Sequence, residues 1–199
     1  MLEDEMISRR AALGGVLSLS LVGGIVPPVS GTSSPKSASA TGRTLVAFFS
    51  RTGNTRVVAG QIKRAHGTDL FEIVPAVAYP DDYEATVDQA RRERDGKVEP
   101  ALAARVANIA QYQVLYIGFP IWGMTAPPVI RSFLSSHDLS GKTIIPFITH
   151  GGYGPGTGIS MVKELALGAR VLEGFVIQAD QERETLARVT RWLSSLQVD

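Results

Sequence analysis

The stretch Thr44 to Val58, TLVAFFSRTGNTRVV, constrains this chain more than any other. An apolar run, Leu45 to Phe49, stops at Ser50-Arg51-Thr52-Gly53-Asn54-Thr55, and apolar residues then recur at Val57, Val58, Ile62 and Ala65. The period changes from that of a strand to that of a helix across a turn rich in hydroxyls. A helix that starts there leaves its first N–H groups unpaired, and its dipole favours negative charge at the same point. Ser50, Thr52, Asn54 and Thr55 add side-chain donors, and Gly53 lets the main chain come close. Such a turn predicts a phosphate site. The bland reading is a capped helix start, with Thr52 or Asn54 as the cap; four donors in six residues exceed what a cap needs.

Beyond Ala65 the alternation of strand and helix repeats. Thr68–Val74 reads as a strand, Tyr83–Arg94 as an exposed helix, and Pro100–Ile109 as a second short helix. The charges around Arg91-Arg92-Glu93-Arg94 are expected on a solvated face, with a partner-docking patch as the sharper reading. Val114–Gly118 is a continuous apolar run of the kind buried on both faces of a parallel sheet, and Lys142–Thr149 reads as another buried strand. Helices are expected over Val129–Ser136, started by proline, and over Ile159–Leu167. A fifth strand, Arg170–Ile177, and a final amphipathic helix, Asp180–Leu196, complete the series.

Alternation of strand and helix predicts an α/β fold, a five-stranded parallel sheet with helices on both faces. In such sheets ligands bind beyond the carboxyl ends of the strands, where strand order reverses. With the order 2-1-3-4-5, the loops after Phe49, Gly118 and Thr149 converge on one cleft.

The first forty residues stand apart from this domain, which spans 41–199. Ser8-Arg9-Arg10 precedes the weakly apolar Ala11–Val26, and a Ser/Pro/Ala tract ends in Ala38-Ser39-Ala40. A charged start, an apolar middle and a small-residue cleavage site predict a signal peptide. The paired arginines resemble the twin-arginine type, which exports folded proteins to the periplasm. The membrane is then met only in transit. An ordinary secretory signal or an uncleaved anchor is the alternative.

Composition removes several chemistries. The chain has 199 residues and no cysteine, so disulfides, thiolate metal sites and cysteine nucleophiles are absent. Its three histidines, His66, His137 and His150, lack ligand spacing, so no metal site is expected. A net charge of +1 gives no reason to expect nucleic-acid binding. The patterns G-x-x-x-x-G-K-[ST] and G-x-S-x-G do not occur, and the first turn has one glycine where a Rossmann turn has three.

Three segments together, Ser50–Thr55, Gly118-Phe119-Pro120-Ile121-Trp122-Gly123 and Thr149-His150-Gly151-Gly152, make Thr44–Leu196 resemble the flavodoxins. The first matches that family's phosphate loop, [ST]-x-T-G-x-T, at every fixed position. The resemblance implies non-covalently bound FMN. Its phosphate would meet Ser50, Thr52, Asn54 and Thr55, with Gly53 allowing close approach. Pro120, Ile121, Trp122, Gly123 and Met124 would run along the isoalloxazine ring, Trp122 making the stacking or edge contact. His150, Gly151 and Gly152 would pass near the ring's polar edge, His150 acting either on the flavin or as a cap of its own loop. Trp192 is expected in the core, and His66 and His137 on the surface near helix ends. Gly151–Gly158 reads as a flap over the flavin or as a simple turn.

Two function classes stay open, with a flavin-free binding protein as a third. One is an electron carrier that docks on a redox partner protein; the other is an FMN-dependent NAD(P)H:acceptor oxidoreductase, quinone-type, with a small-molecule acceptor. Export and the lack of a nicotinamide signature put the carrier first. The near-neutral charge and the glycine-rich loop lean the other way. A homodimer is compatible with the second class.

Overall fold

The computed structural model describes residues 43–179 and 182–196. The twin-arginine-type leader and its Ala38-Ser39-Ala40 site lie outside the described residues. The elements in chain order are β1 (Arg43–Phe48), α1 (Asn54–His66), β2 (Asp69–Glu72), α2 (Tyr83–Asp95), β3 (Tyr112–Pro120) and α3 (Pro128–Ser135). After them come β4 (Thr143–His150), α4 (Gly158–Leu165), β5 (Arg170–Val171), β6 (Phe175–Gln178) and α5 (Glu182–Ser195). All strand pairs are parallel, in the order β2-β1-β3-β4-β5, with β6 also on β4.

Alternation along the strands sends side chains into two cores, one per face. Leu45, Ala47, Leu115, Ile117, Phe119, Ile144 and Ile148 pack under α3 and α4, against Val129, Ile130, Phe133 and Val162. Val46, Phe48, Tyr116, Ile145 and Phe147 pack under α1 and α5, against Val58, Ile62, Val189 and Leu193. Trp192 belongs to this second core, stacked on Phe175 at 4.9 Å. Burial on both faces explains the apolar middles of β1, β3 and β4, Leu45–Phe48, Val114–Phe119 and Ile144–Ile148. No helix of the described residues is long and apolar enough to cross a membrane.

Two expectations fail, each for a physical reason. The fifth strand is not continuous: β5 pairs Thr143 and Ile144, β6 pairs Phe147 to His150, and the chain between them leaves the ladder. Leu172 N–H donates to Ile144 O, so even-numbered residues of β4 turn their backbone groups toward the fifth strand. Pro146 has that parity and no N–H to offer, which breaks the ladder there.

The segment 100–109 is not helical; only a 3₁₀ turn, Ile109–Gln111, follows it. Instead Ala76 N–H donates to Ala101 O (2.7 Å) and Ala103 N–H to Val74 O (2.8 Å), around an antiparallel bridge from Pro75 to Leu102. Tertiary pairing with the strand that leaves β2 overrides the helix propensity of an alanine-rich segment. His66 is exposed at the end of α1, as expected. His137 is half-buried, which the sequence did not indicate.

Candidate functional site

The loops after β1, β3 and β4 do converge. They line one cavity of about 640 Å³, a size typical of small-molecule and cofactor sites. Ser50, Thr52, Asn54, Thr55, Pro120, Ile121, Trp122, Gly123, Met124, His150 and Gly151 all contribute to its walls. Gly53 and Gly152 do not line it; each shapes its loop through a positive φ, 95° and 129°.

Gly53 is the N-cap of α1, at φ 95°, a conformation that glycine adopts without steric penalty. Neither Thr52 nor Asn54 caps the helix, and no other side chain among the described residues does. The first helical N–H groups are therefore open toward the cavity. Within the loop, Ser50 Oγ accepts the Gly53 N–H (3.1 Å), and Thr52 Oγ1 accepts the Asn54 Nδ2–H (3.3 Å). Both hydroxyls thus act as acceptors inside the loop, and their own hydrogens remain for a ligand. Thr55 and Thr149 form a buried hydroxyl pair at 2.8 Å, tying the first turn of α1 to the end of β4. One hydrogen lies between the two oxygens and the other is free. Arg51 donates to Asp81 O at 2.7 Å, which fastens this loop to the approach of α2. The arrangement is a cradle of donors with no competing anion, and it fits a phosphate.

The second wall is a tight turn. Trp122 and Thr125 exchange N–H···O bonds (2.8 and 3.2 Å), with Gly123 at φ 55° and Met124 at φ 67°. Consecutive positive φ values make it a type I′ geometry, which glycine fits and Met124 tolerates at a cost. Trp122 packs edge-to-face with Phe49 (5.3 Å, 85°) and Tyr79 (5.0 Å, 81°), so its ring plane is fixed by packing. Tyr79 donates to Glu93 at 2.9 Å; burial, then the Glu93 carboxylate, push its phenol far above the ordinary range and keep it a neutral donor.

The third wall is clamped to the second. Thr157 N–H donates to Met124 O at 2.8 Å, and a Cβ on Gly156 would sit 2.0 Å from that same oxygen. The 151–158 segment is thereby a braced turn. His150 caps its own loop: Nδ1 accepts the N–H of Gly152 (3.1 Å) and of Gly154 (3.2 Å), which leaves the neutral ring's proton on Nε2.

The residues that sequence reasoning missed form the fourth wall. Tyr83, Thr86, Val87, Ala90, Arg91 and Arg94 of α2 all line the cavity, and Thr149, Ala179 and Arg51 join them. Their spacing of three and four is a single helical stripe, and that was the available signal. The solvated-face reading of the arginine run holds for part of it only. Arg91 and Arg94 turn to the cavity and Glu93 turns to Tyr79. Three cations line the cavity and, among the described residues, no carboxylate does.

A family model described as Flavodoxin matches residues 43–196. A Bacteroides eggerthii protein assigned as a flavoprotein is 33% identical, over 79% of this chain and 99% of its own, with a TM-score of 0.68. One from Bacteroides uniformis is 32% identical, over 77% and 99%, with a TM-score of 0.69. A Lactobacillus acidophilus flavoprotein, solved in complex with FMN, shares the fold at 23% identity, over 73% and 99%, with a TM-score of 0.61. Among curated proteins nothing matches.

Proposed function

The chain belongs to the flavodoxin family, and from that premise we propose that it binds one FMN and exchanges electrons between the flavin and small molecules. The observation that carries FMN binding is the uncapped start of α1 beneath the open hydroxyls of Ser50 and Thr52. Asn54 and Thr55 complete the phosphate cradle. Trp122, held edge-on by Phe49 and Tyr79, walls the ring, and the backbone N–H groups of Gly123, Met124 and Gly151, which line the cavity, are placed for its polar contacts. Bound FMN supplies reversible two-electron, two-proton chemistry; the protein sets its access and potential. His150 positions the 151–154 backbone, with Nε2–H left as a donor.

The cavity supports the oxidoreductase over the carrier. A protein-docking carrier needs only an exposed ring edge, whereas α2 here adds a wall to the cavity with Arg91 and Arg94. On the Ser8-Arg9-Arg10 leader, we infer that the protein acts in the periplasm after export in folded form. Replacing both arginines with lysine should retain the precursor in the cytoplasm; unchanged export would refute the twin-arginine reading.

The test is reconstitution of the full chain with FMN and with riboflavin. Two charge-assisted hydrogen bonds to phosphate predict riboflavin binding about a hundredfold weaker or more. Equal affinities would sink the phosphate cradle. Anaerobic addition of NADPH or NADH should then bleach the bound flavin. Flavin that ignores both and responds only to dithionite would make the protein a carrier.

A further inference from the structure

A second cavity of about 360 Å³ adjoins the first, sharing Arg94, Gly123 and Met124 with it, so the Trp122–Thr125 turn is the partition between them. We propose that this second cavity is an anion subsite, in which Arg94 and Arg131 hold an oxyanion group of the small molecule that exchanges electrons with the flavin. The proposal rests on the flavin reading for the identity of that small molecule, and on the cavity alone for the anion.

Arg131 lies in the first turn of α3, where the helix dipole disfavours a cation, and that turn holds no acidic residue. Among the described residues no carboxylate lies within ion-pair distance of it. It is half-buried in the cavity wall, so this placement serves neither the helix nor a surface ion pair. Arg94 pairs through Nε with the exposed Asp95 at 3.0 Å, and among the described residues its Nη groups have no hydrogen-bond or ion-pair partner. Nη1 lies against Gly123, where even a Cβ would sit 2.3 Å away; the missing side chain is what lets the guanidinium reach the partition. No carboxylate of the described residues lines this cavity either. Thr125 adds a hydroxyl, while that of Thr157 donates to Met124 O at 3.3 Å, and Met124 and Met161 supply the apolar surface expected where an organic body follows a charged group. Guanidinium groups are the residues best suited to planar, bidentate recognition of such oxyanions. The anion is the phosphate of a hydride donor or the acidic group of an acceptor, and both would sit beside the ring loop.

The full chain, with and without FMN, is titrated calorimetrically with naphthalene-2-sulfonate as probe and with 2-naphthylmethanol as its neutral counterpart. The sulfonate should bind both forms more tightly than the alcohol. Arg131→Gln should weaken the sulfonate about tenfold or more, with Arg131→Lys recovering part of the loss, and should leave no such gap for the alcohol. Sulfonate binding that is absent, or indifferent to Arg131→Gln, overturns the subsite even if FMN binds. Failure to bind FMN with the sulfonate retained would sink the flavin reading and leave the anion subsite standing. Two kinetic arms then separate the sources in the loaded protein. If Arg131→Gln slows reduction by NADPH, the anion is the donor's phosphate. If it lowers the reoxidation rate with 1,2-naphthoquinone-4-sulfonate relative to menadione, the anion is the acceptor's. Slowing of neither overturns the claim that the anion belongs to the flavin's reaction partner.

Discussion

Thr55 and Thr149 lie on different elements, ninety-four positions apart in sequence, and their hydroxyls meet at 2.8 Å under the cleft. Thr55 is 1% exposed and Thr149 is 3% exposed, so water has little access to either oxygen when its partner is lost. Thr149→Val therefore leaves one buried hydroxyl unpaired, at a cost of about 1–3 kcal/mol, and Thr55→Val costs the same for the same reason. The double variant removes both polar groups at nearly constant shape, and its stability should return close to that of the wild type. The coupling between the sites is then about as large as either single loss. Urea unfolding of the flavin-free protein, read by tryptophan fluorescence at unchanged m-value, measures all four corners of the cycle. A double variant that loses the sum of the single losses would refute the reasoning. FMN titration of the same four proteins adds a second axis. Thr55 sits in the phosphate cradle and Thr149 beneath it, so Thr55→Val should weaken FMN about tenfold or more, and more than Thr149→Val does.

The remaining expectations concern backbone space and one histidine. Gly118→Ala would place a Cβ 2.0 Å from Cζ of the fully buried Phe147 ring. It should cost about 3 kcal/mol or more in chemical denaturation, and Phe147→Leu in the same chain should recover part of it. Gly156→Ala, at φ 50° and 2.0 Å from Met124 O, should cost about 1–3 kcal/mol of stability, break the Thr157–Met124 clamp and raise the FMN dissociation constant measured by fluorescence quenching. His137 is held neutral: Nδ1–H donates to Phe133 O (2.8 Å) and Nε2 accepts the Val106 N–H (3.1 Å). Burial, then Arg105, lower its pKa despite the Phe133 carbonyl. A folded pKa below the unfolded value means stability that is whole above about pH 6.5 and declines as pH falls below it, because the unfolded chain takes up the proton first. The urea midpoint should drop over that window, and His137→Gln should flatten the dependence.

The sheet was legible because strands buried on both faces announce themselves: Leu45–Phe49, Val114–Gly118 and Ile144–Ile148 carry almost no polar residue. The phosphate loop was legible because its donors are contiguous. The α2 wall was not, because Tyr83, Thr86, Val87, Ala90, Arg91 and Arg94 share a face without sharing polarity. Their role depends on where the helix docks, and that is set by Tyr79–Glu93 and Arg51–Asp81, contacts across long sequence distances. The segment 100–109 misled for a related reason, since its alanines favour a helix and only the facing 74–76 chain gives its backbone better partners.

Pro146 has a bearing on how the protein behaves in crowded solution. An open sheet invites other chains to add strands at its edges, and the risk grows with the length of unpaired ladder on offer. Here one edge is the four-residue β2, and the other is divided into two residues of β5 and four of β6 by the missing N–H of Pro146. Neither edge presents a long, flat template. Pro146→Val would supply the donor that lets β5 and β6 join across Leu172–Gly174, giving a continuous outer rim. Light scattering during concentration or refolding should then rise above that of the wild type, with little change in the urea midpoint of the monomer. The proline thus acts less on the folded molecule than on its neighbours, by denying them a seed.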